Sequence, residues 1–149
     1  MKLKLNNHKS IESEEALIAS VITDSREIEK VNSIIKTDMF YSKFNQIVWD
    51  KIISMQQNGV KVDLTTVTSH LNNDTDATVS GYSPAFKLTG YFNNMSTSAN
   101  AIQYAKNVYE KYELRNIEDL ATQLKGSIGK DNLKTVDALT NVHLSLIHI

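Results

Sequence analysis

The chain contains no cysteine, which removes any disulfide framework, thiolate metal site or cysteine nucleophile and agrees with a reducing compartment. Proline and glycine are nearly as scarce. One proline and five glycines make six of 149 residues, about 4% where average usage is about 12%, so the chain has few places to turn sharply. Sandwiches, barrels and doubly wound sheets use these residues freely at their turns and are poor fits; a few long helices fit better. No apolar run approaches the roughly 18 residues of a membrane span, and the lysines of MKLKLNNHKS have no apolar stretch behind them. Neither export nor a membrane is expected, and the expected location is the cytoplasm. An excess of one charge is missing too. Sixteen basic and seventeen acidic residues leave a net charge of −1, whereas a domain that grips phosphates by itself carries a basic face.

What remains is periodic. In IESEEALIASVI the apolar pair Leu17, Ile18 returns four residues later as Val21, Ile22, a helical stripe. Ser10 is placed to cap its first turn, and Glu12, Glu14 and Glu15 to meet the positive end of its dipole. Asp24 and Ser25 offer a break and a fresh cap for a shorter helix through Ile28 and Val31. Phe44, Ile47, Val48, Ile52 and Met55 recur at helical steps from Ser42 to Asn58, and Gly59 follows as a C-terminal stop. Val60 and Val62 are too few for a strand, and Asp63 caps a helix from Leu64 to Leu71. The run NNDTDATVS has no period and reads as a loop. Ser83 and Pro84 open a helix of one or two turns, and Gly90 to Ser98 reads as a second loop.

From Ser98 to Lys125 there is neither glycine nor proline. Those roughly 28 residues would make a helix about 40 Å long. Ile102, Ala105, Tyr109 and Tyr112 step along one side, and Leu114, Ile117, Leu120, Ala121 and Leu124 along a neighbouring one. Gly126 to Asp131 breaks the run, and Leu133, Val136, Leu139 and Val142 begin another helix. The expected fold is all-α: a tail over 1–9, a compact head of about five short helices over 10–94, and a long antiparallel helical hairpin over 95–144, with 145–149 an uncertain end. Two apolar stripes exceed what one partner helix can cover, which points to a neighbouring subunit. Tyr104, Val108, Leu114, Ile117, Leu133 and Val136 are the candidate seam and subunit contacts, with packing inside the chain as the alternative for each. The hairpin's six basic and six acidic residues are interspersed, as on a solvated surface.

Catalytic motifs fail on chemistry. GSIGKD at Gly126–Asp131 has two residues between its glycines where a phosphate loop needs four, and Asp131 stands where the magnesium-binding hydroxyl belongs. His8, His70, His143 and His148 lack metal-ligand spacing, so no metal and no cofactor is assigned to the chain. His70 reads as a helix-end residue. Trp49 and Tyr41 are read as core aromatics in preference to base-stacking platforms.

Fragments in order carry more than any single motif. SIESEEALIASVI, then DMFY before a helix with Gln46, Ile47 and Trp49, then NGVKVDLTTVTSHL, then GY with a short helix, then SANAIQYAKNVYEKYELRNI, together resemble the N-terminal domain of DnaB-like replicative DNA helicases. Ala19 stands where that family usually has glycine. The resemblance implies a helical head and hairpin that pair into a collar, a trimer of dimers on a hexameric motor ring in a bacterial or phage-infected cell. It implies primase docking on that collar, and a helicase loader as a further partner. ATP and magnesium would belong to a separate motor domain, absent from this chain with its linker, through which alone DNA would be contacted. A free-standing phage or plasmid adaptor that binds such a helicase is the alternative, and a sequence-specific helical DNA binder is disfavoured by the charge. The purified chain is expected to release no phosphate from ATP in a coupled assay; turnover abolished by Lys130→Ala would reverse the rejection of GSIGKD.

Overall fold

The structure, a computed structural model, describes residues 10–74, 77, 82–96, 100–127 and 130–147, with the backbone alone at 130–133 and 147. The expected tail over 1–9, with His8, and the expected turn at Gly81 lie outside the described residues. Seven α-helices follow one another: α1 (Ile11–Thr23), α2 (Ile28–Asn32), α3 (Lys43–Gln57), α4 (Leu64–Asn72), α5 (Pro84–Tyr91), α6 (Ala101–Ser127) and α7 (Lys130–Ile147). Short 3₁₀ turns at Ser25–Glu27, Thr37–Met39 and Phe92–Asn94 join them. There is no strand among the described residues, and the fold is all-α as the scarcity of turn residues implied.

Contacts gather the chain into two units, Ser10–Tyr109 and the residues from Glu110 onward. The division falls inside α6, not in the loop at 95 where the sequence placed it. The reason is packing: Ala101, Tyr104, Ala105 and Val108 are buried in the same core as α1 and α3.

In the first unit α1 is buried on nearly every side, through Ala16, Leu17, Ile18, Ala19, Val21 and Ile22. Such a helix is a core rod around which others are laid. Phe44, Val48, Trp49, Ile52 and Met55 turn one face of α3 inward. Trp49 lies beside Phe40 with ring centroids 5.7 Å apart, a core residue as expected. Tyr41 corrects the parallel expectation, since the residue is 45% exposed.

Local chemistry sets most helix ends. Ser42 Oγ accepts from Asn45 N at the start of α3, and Gly59 ends the helix with φ +71°, where a side chain would be strained. Asp63 accepts from Thr66 N at 2.9 Å while Thr66 Oγ1 receives Asp63 N, a closed capping box at α4. His70 sits in the last turn of α4 with Nδ1 2.8 Å from the Thr66 carbonyl. Ser83 caps α5 with Pro84 in its first turn. Gly90 and Gly126 keep the boundary role, each being the last residue but one of its helix, α5 and α6. Neither meets a neighbouring atom where a Cβ would stand.

The strongest correction concerns Glu14. Its carboxylate does not serve the dipole of its own helix; it is fully buried and reaches across to α3. It accepts from Tyr41 N at 2.8 Å, Ser42 N at 3.2 Å, Asn45 Nδ2 at 3.0 Å and Ser10 Oγ at 3.3 Å. Ser10 thus gives its hydroxyl to Glu14 and does not cap α1. Asn45 Oδ1 in turn receives the hydroxyl of Tyr91 on α5. Burial, followed by the charges of Glu15 and Glu14, pushes the Tyr91 phenol well above its ordinary value, so it stays a donor.

Glu14→Ala leaves two backbone amides and the Asn45 amide without an acceptor, and is expected to cost about 3 kcal/mol in urea unfolding. Glu12→Gln, at an exposed position of the same helix, is the control and should move stability by under about 0.5 kcal/mol. The Asp63 cap predicts a pH dependence. The Thr66 backbone amide, above all, holds the Asp63 carboxyl below its ordinary value. A lowered folded pKa contributes stability above the unfolded pKa and loses it as pH falls through the folded one. The stability gap between wild type and Asp63→Ala is therefore full at neutral pH and closes in acid, read from urea midpoints across the acid range.

Candidate interaction surface

The second half of α6 and the described part of α7 make the other unit. Leu114, Glu118 and Ala121 are buried on α6, and Thr140 and Leu144 on α7, at the three- and four-residue steps that put side chains on one helix face. Glu118 therefore leaves the solvated set to which the charge pattern assigned it. The Thr140 hydroxyl donates to the Val136 carbonyl at 2.8 Å and leaves no donor unmatched. Lys125, near the end of α6, is paired with Asp137 in the second turn of α7, which brings the two helices side by side.

Between them runs a groove of about 410 Å³. Ile117, Leu120, Ala121 and Leu124 line it from α6; Val136, Leu139, Thr140 and His143 line it from α7. His143 is the one ionisable group among those residues. Leu120 is 56% exposed and Leu139 66%, and Leu124, Val142 and Leu146 are exposed as well. No nucleophile faces a base here, and no cluster of metal-ligating side chains occurs among the described residues. What the groove offers is desolvation: each large aliphatic side chain gains roughly 1.5–3 kcal/mol on full burial.

The six residues singled out in the sequence are distributed between the units. Tyr104 and Val108 belong to the core of the Ser10–Tyr109 unit, where the Tyr104 hydroxyl accepts from Ser96 N at 2.8 Å. Leu114 is buried in the other unit. Ile117 and Val136 are half-buried and meet at the groove. Leu133 lies on α7, its side chain outside the described set. The more exposed residues, Leu120, Leu124, Leu139 and Val142, were visible as helical stripes, but a stripe does not say which of its members a core will cover.

Comparison with known proteins gives this surface a context. The family model of the DnaB-like helicase N-terminal domain matches residues 6–110. The chain is 32% identical over 117 residues to the replicative DNA helicase DnaC of Bacillus subtilis (strain 168), covering 78% of this chain and 25% of that protein. It is 29% identical, with the same coverage, to the replicative DNA helicase DnaB of Geobacillus stearothermophilus. It thus spans about a quarter of the length of the curated relatives it matches. In fold it is similar to the N-terminal domain of DnaB helicase from Mycobacterium tuberculosis, with a TM-score of 0.69 at 24% identity over 87% of this chain and 94% of that one. With a matching family model over most of its length and the same helical fold, the chain belongs to the DnaB-like helicase N-terminal domains.

Proposed function

We propose that this chain is the assembly and partner-docking domain of a replicative DNA helicase, and that the groove between α6 and α7 is where a second copy seats. The observation that carries the reading is the row of four exposed leucines and a valine on two adjacent helices, Leu120, Leu124, Leu139, Val142 and Leu146. Monomeric proteins rarely leave a contiguous apolar stripe of this kind open, and a two-fold pairing would bury it against itself. Pairs of this kind would build the trimer of dimers that forms a collar. Primase, and a helicase loader, are the docking partners proposed for that collar. ATP hydrolysis with magnesium, and the unwinding of DNA, are assigned to a motor domain of the parent protein.

The net charge of −1 supports assembly over direct strand binding, because the groove presents no cluster of cations to phosphates. Leu139→Asp tests the reading at a position exposed enough to leave folding intact. Sedimentation of the wild-type chain at micromolar concentration is expected to show dimers or larger species. The variant is expected to retain its helical circular dichroism and dissociate at least about tenfold more readily. A wild-type chain that stays monomeric at high concentration and has no affinity for a primase C-terminal domain overturns the proposal.

A further inference from the structure

The groove between α6 and α7 carries one group whose charge changes near neutral pH. Seven of its eight lining residues cannot ionise, and the eighth is His143. In the single chain His143 is exposed, so water solvates its imidazole in either charge state. A second copy seated on the groove would take that water away. Histidine is the side chain whose ordinary charge change falls between about pH 5 and 8. A neutral imidazole can be covered by an aliphatic surface, whereas an imidazolium covered without a counter-charge is strongly disfavoured.

The lining of the groove supplies no such counter-charge. On α7 the residues one helical turn either side of His143, which are Leu139, Thr140, Leu146 and Ile147, are all uncharged. Asp137, the nearest acid on that helix, is paired with Lys125. On α6 the charged residues of the stretch alongside are Glu113, Arg115, Glu118, Asp119 and Lys125, and none of them lines the groove. Glu118 is buried, and Asp119 is exposed outside the lining. The residues that α6 presents to the groove are Ile117, Leu120, Ala121 and Leu124, all apolar. A two-fold pairing doubles the effect, because each copy brings its own His143 to the shared surface.

We propose that His143 makes the pairing of two copies through this groove dependent on pH: the copies associate with both imidazoles neutral and separate when the imidazoles take up protons. The proposal rests on the reading of the groove as the seat of a second copy. Covering disfavours the protonated form, so the single chain holds more protons than the paired one. Pairing is therefore at full strength above the range in which a free imidazole titrates, and it is lost as pH falls through that range. Such a surface would let acidification open the assembly without unfolding either copy.

The test is sedimentation equilibrium of the 149-residue chain over a concentration series at constant ionic strength, with helical circular dichroism read on the same samples. Between about pH 7.5 and about pH 5.5 the wild-type dissociation constant is expected to rise at least about tenfold, with the helical signal unchanged. His143→Gln keeps a hydrogen-bonding side chain at the same exposed position but cannot titrate. Its dissociation constant is expected to change by less than about twofold over the same interval. His70→Gln, on α4 in the other unit, is expected to keep the wild-type dependence, which separates the effect of His143 from a general gain of positive charge. Wild-type pairing that ignores pH or tightens on acidification, or acid weakening that His143→Gln shares, would overturn the proposal and leave the assembly reading standing. A chain that stays monomeric at high concentration at both pH values overturns this proposal together with the seat of a second copy on the groove.

Discussion

A single buried carboxylate decides how three of the helices, α1, α3 and α5, come together. Taking an ion out of water costs several kcal/mol even after relaxation, and Glu14 is tolerated because four donors converge on it. Three of the four come from the segment that opens α3. A second consequence follows from the surroundings of α1, which is apolar on nearly every side and could pack against its neighbours in more than one rotation. Apolar surface alone does not choose among such rotations; a polar group that is satisfied in only one of them does. Asn45 extends the choice to α5, since its amide nitrogen is committed to Glu14 and its oxygen to the Tyr91 hydroxyl. Glu14, Asn45 and Tyr91 thus set the mutual register of α1, α3 and α5.

That network was not legible in the sequence, and the reason is distance along the chain. Ser42, Asp63, the Ser83–Pro84 pair and Gly59 act on backbone groups within a few residues of themselves, so their roles follow from local chemistry. Glu14 acts on groups 27 to 31 residues away. From its own neighbourhood it looks like one more acid in the first turn of a helix. Ser10 was misread for the same reason, its nearest apparent partner being the backbone of α1 and its actual one the Glu14 side chain. Gly90 and Gly126 belong with the local signals, since each helix stops one residue after its glycine.

The long helix shows the limit of periodicity more sharply. Tyr104, Val108, Leu114 and Ile117 read as parts of one apolar pattern, yet the first two complete the core around α1 and α3, while Leu114 is covered in the other unit and Ile117 edges an open groove. A helix of 27 residues is long enough to serve two environments with one repeat. The family match ends at residue 110, one residue past the first unit. The shared sequence pattern therefore belongs to the helices organised by Glu14, and the reading of the groove rests on the chemistry of its own side chains.

That chemistry favours contact between like surfaces. Copies carrying a net charge of −1 repel one another weakly, so the balance of attraction falls to the exposed aliphatic residues. The charged residues beside them are already committed in part: Lys125 to Asp137 across the two helices, and Glu118 to the buried side of α6. Thr140 is likewise closed onto its own helix. A surface whose large apolar groups are not covered gains desolvation when it meets a copy of itself. His143 is the exception among the lining residues. It places a hydrogen-bonding group in an otherwise aliphatic wall, where a partner must match it or leave it open to water, and this restricts how two copies can be aligned.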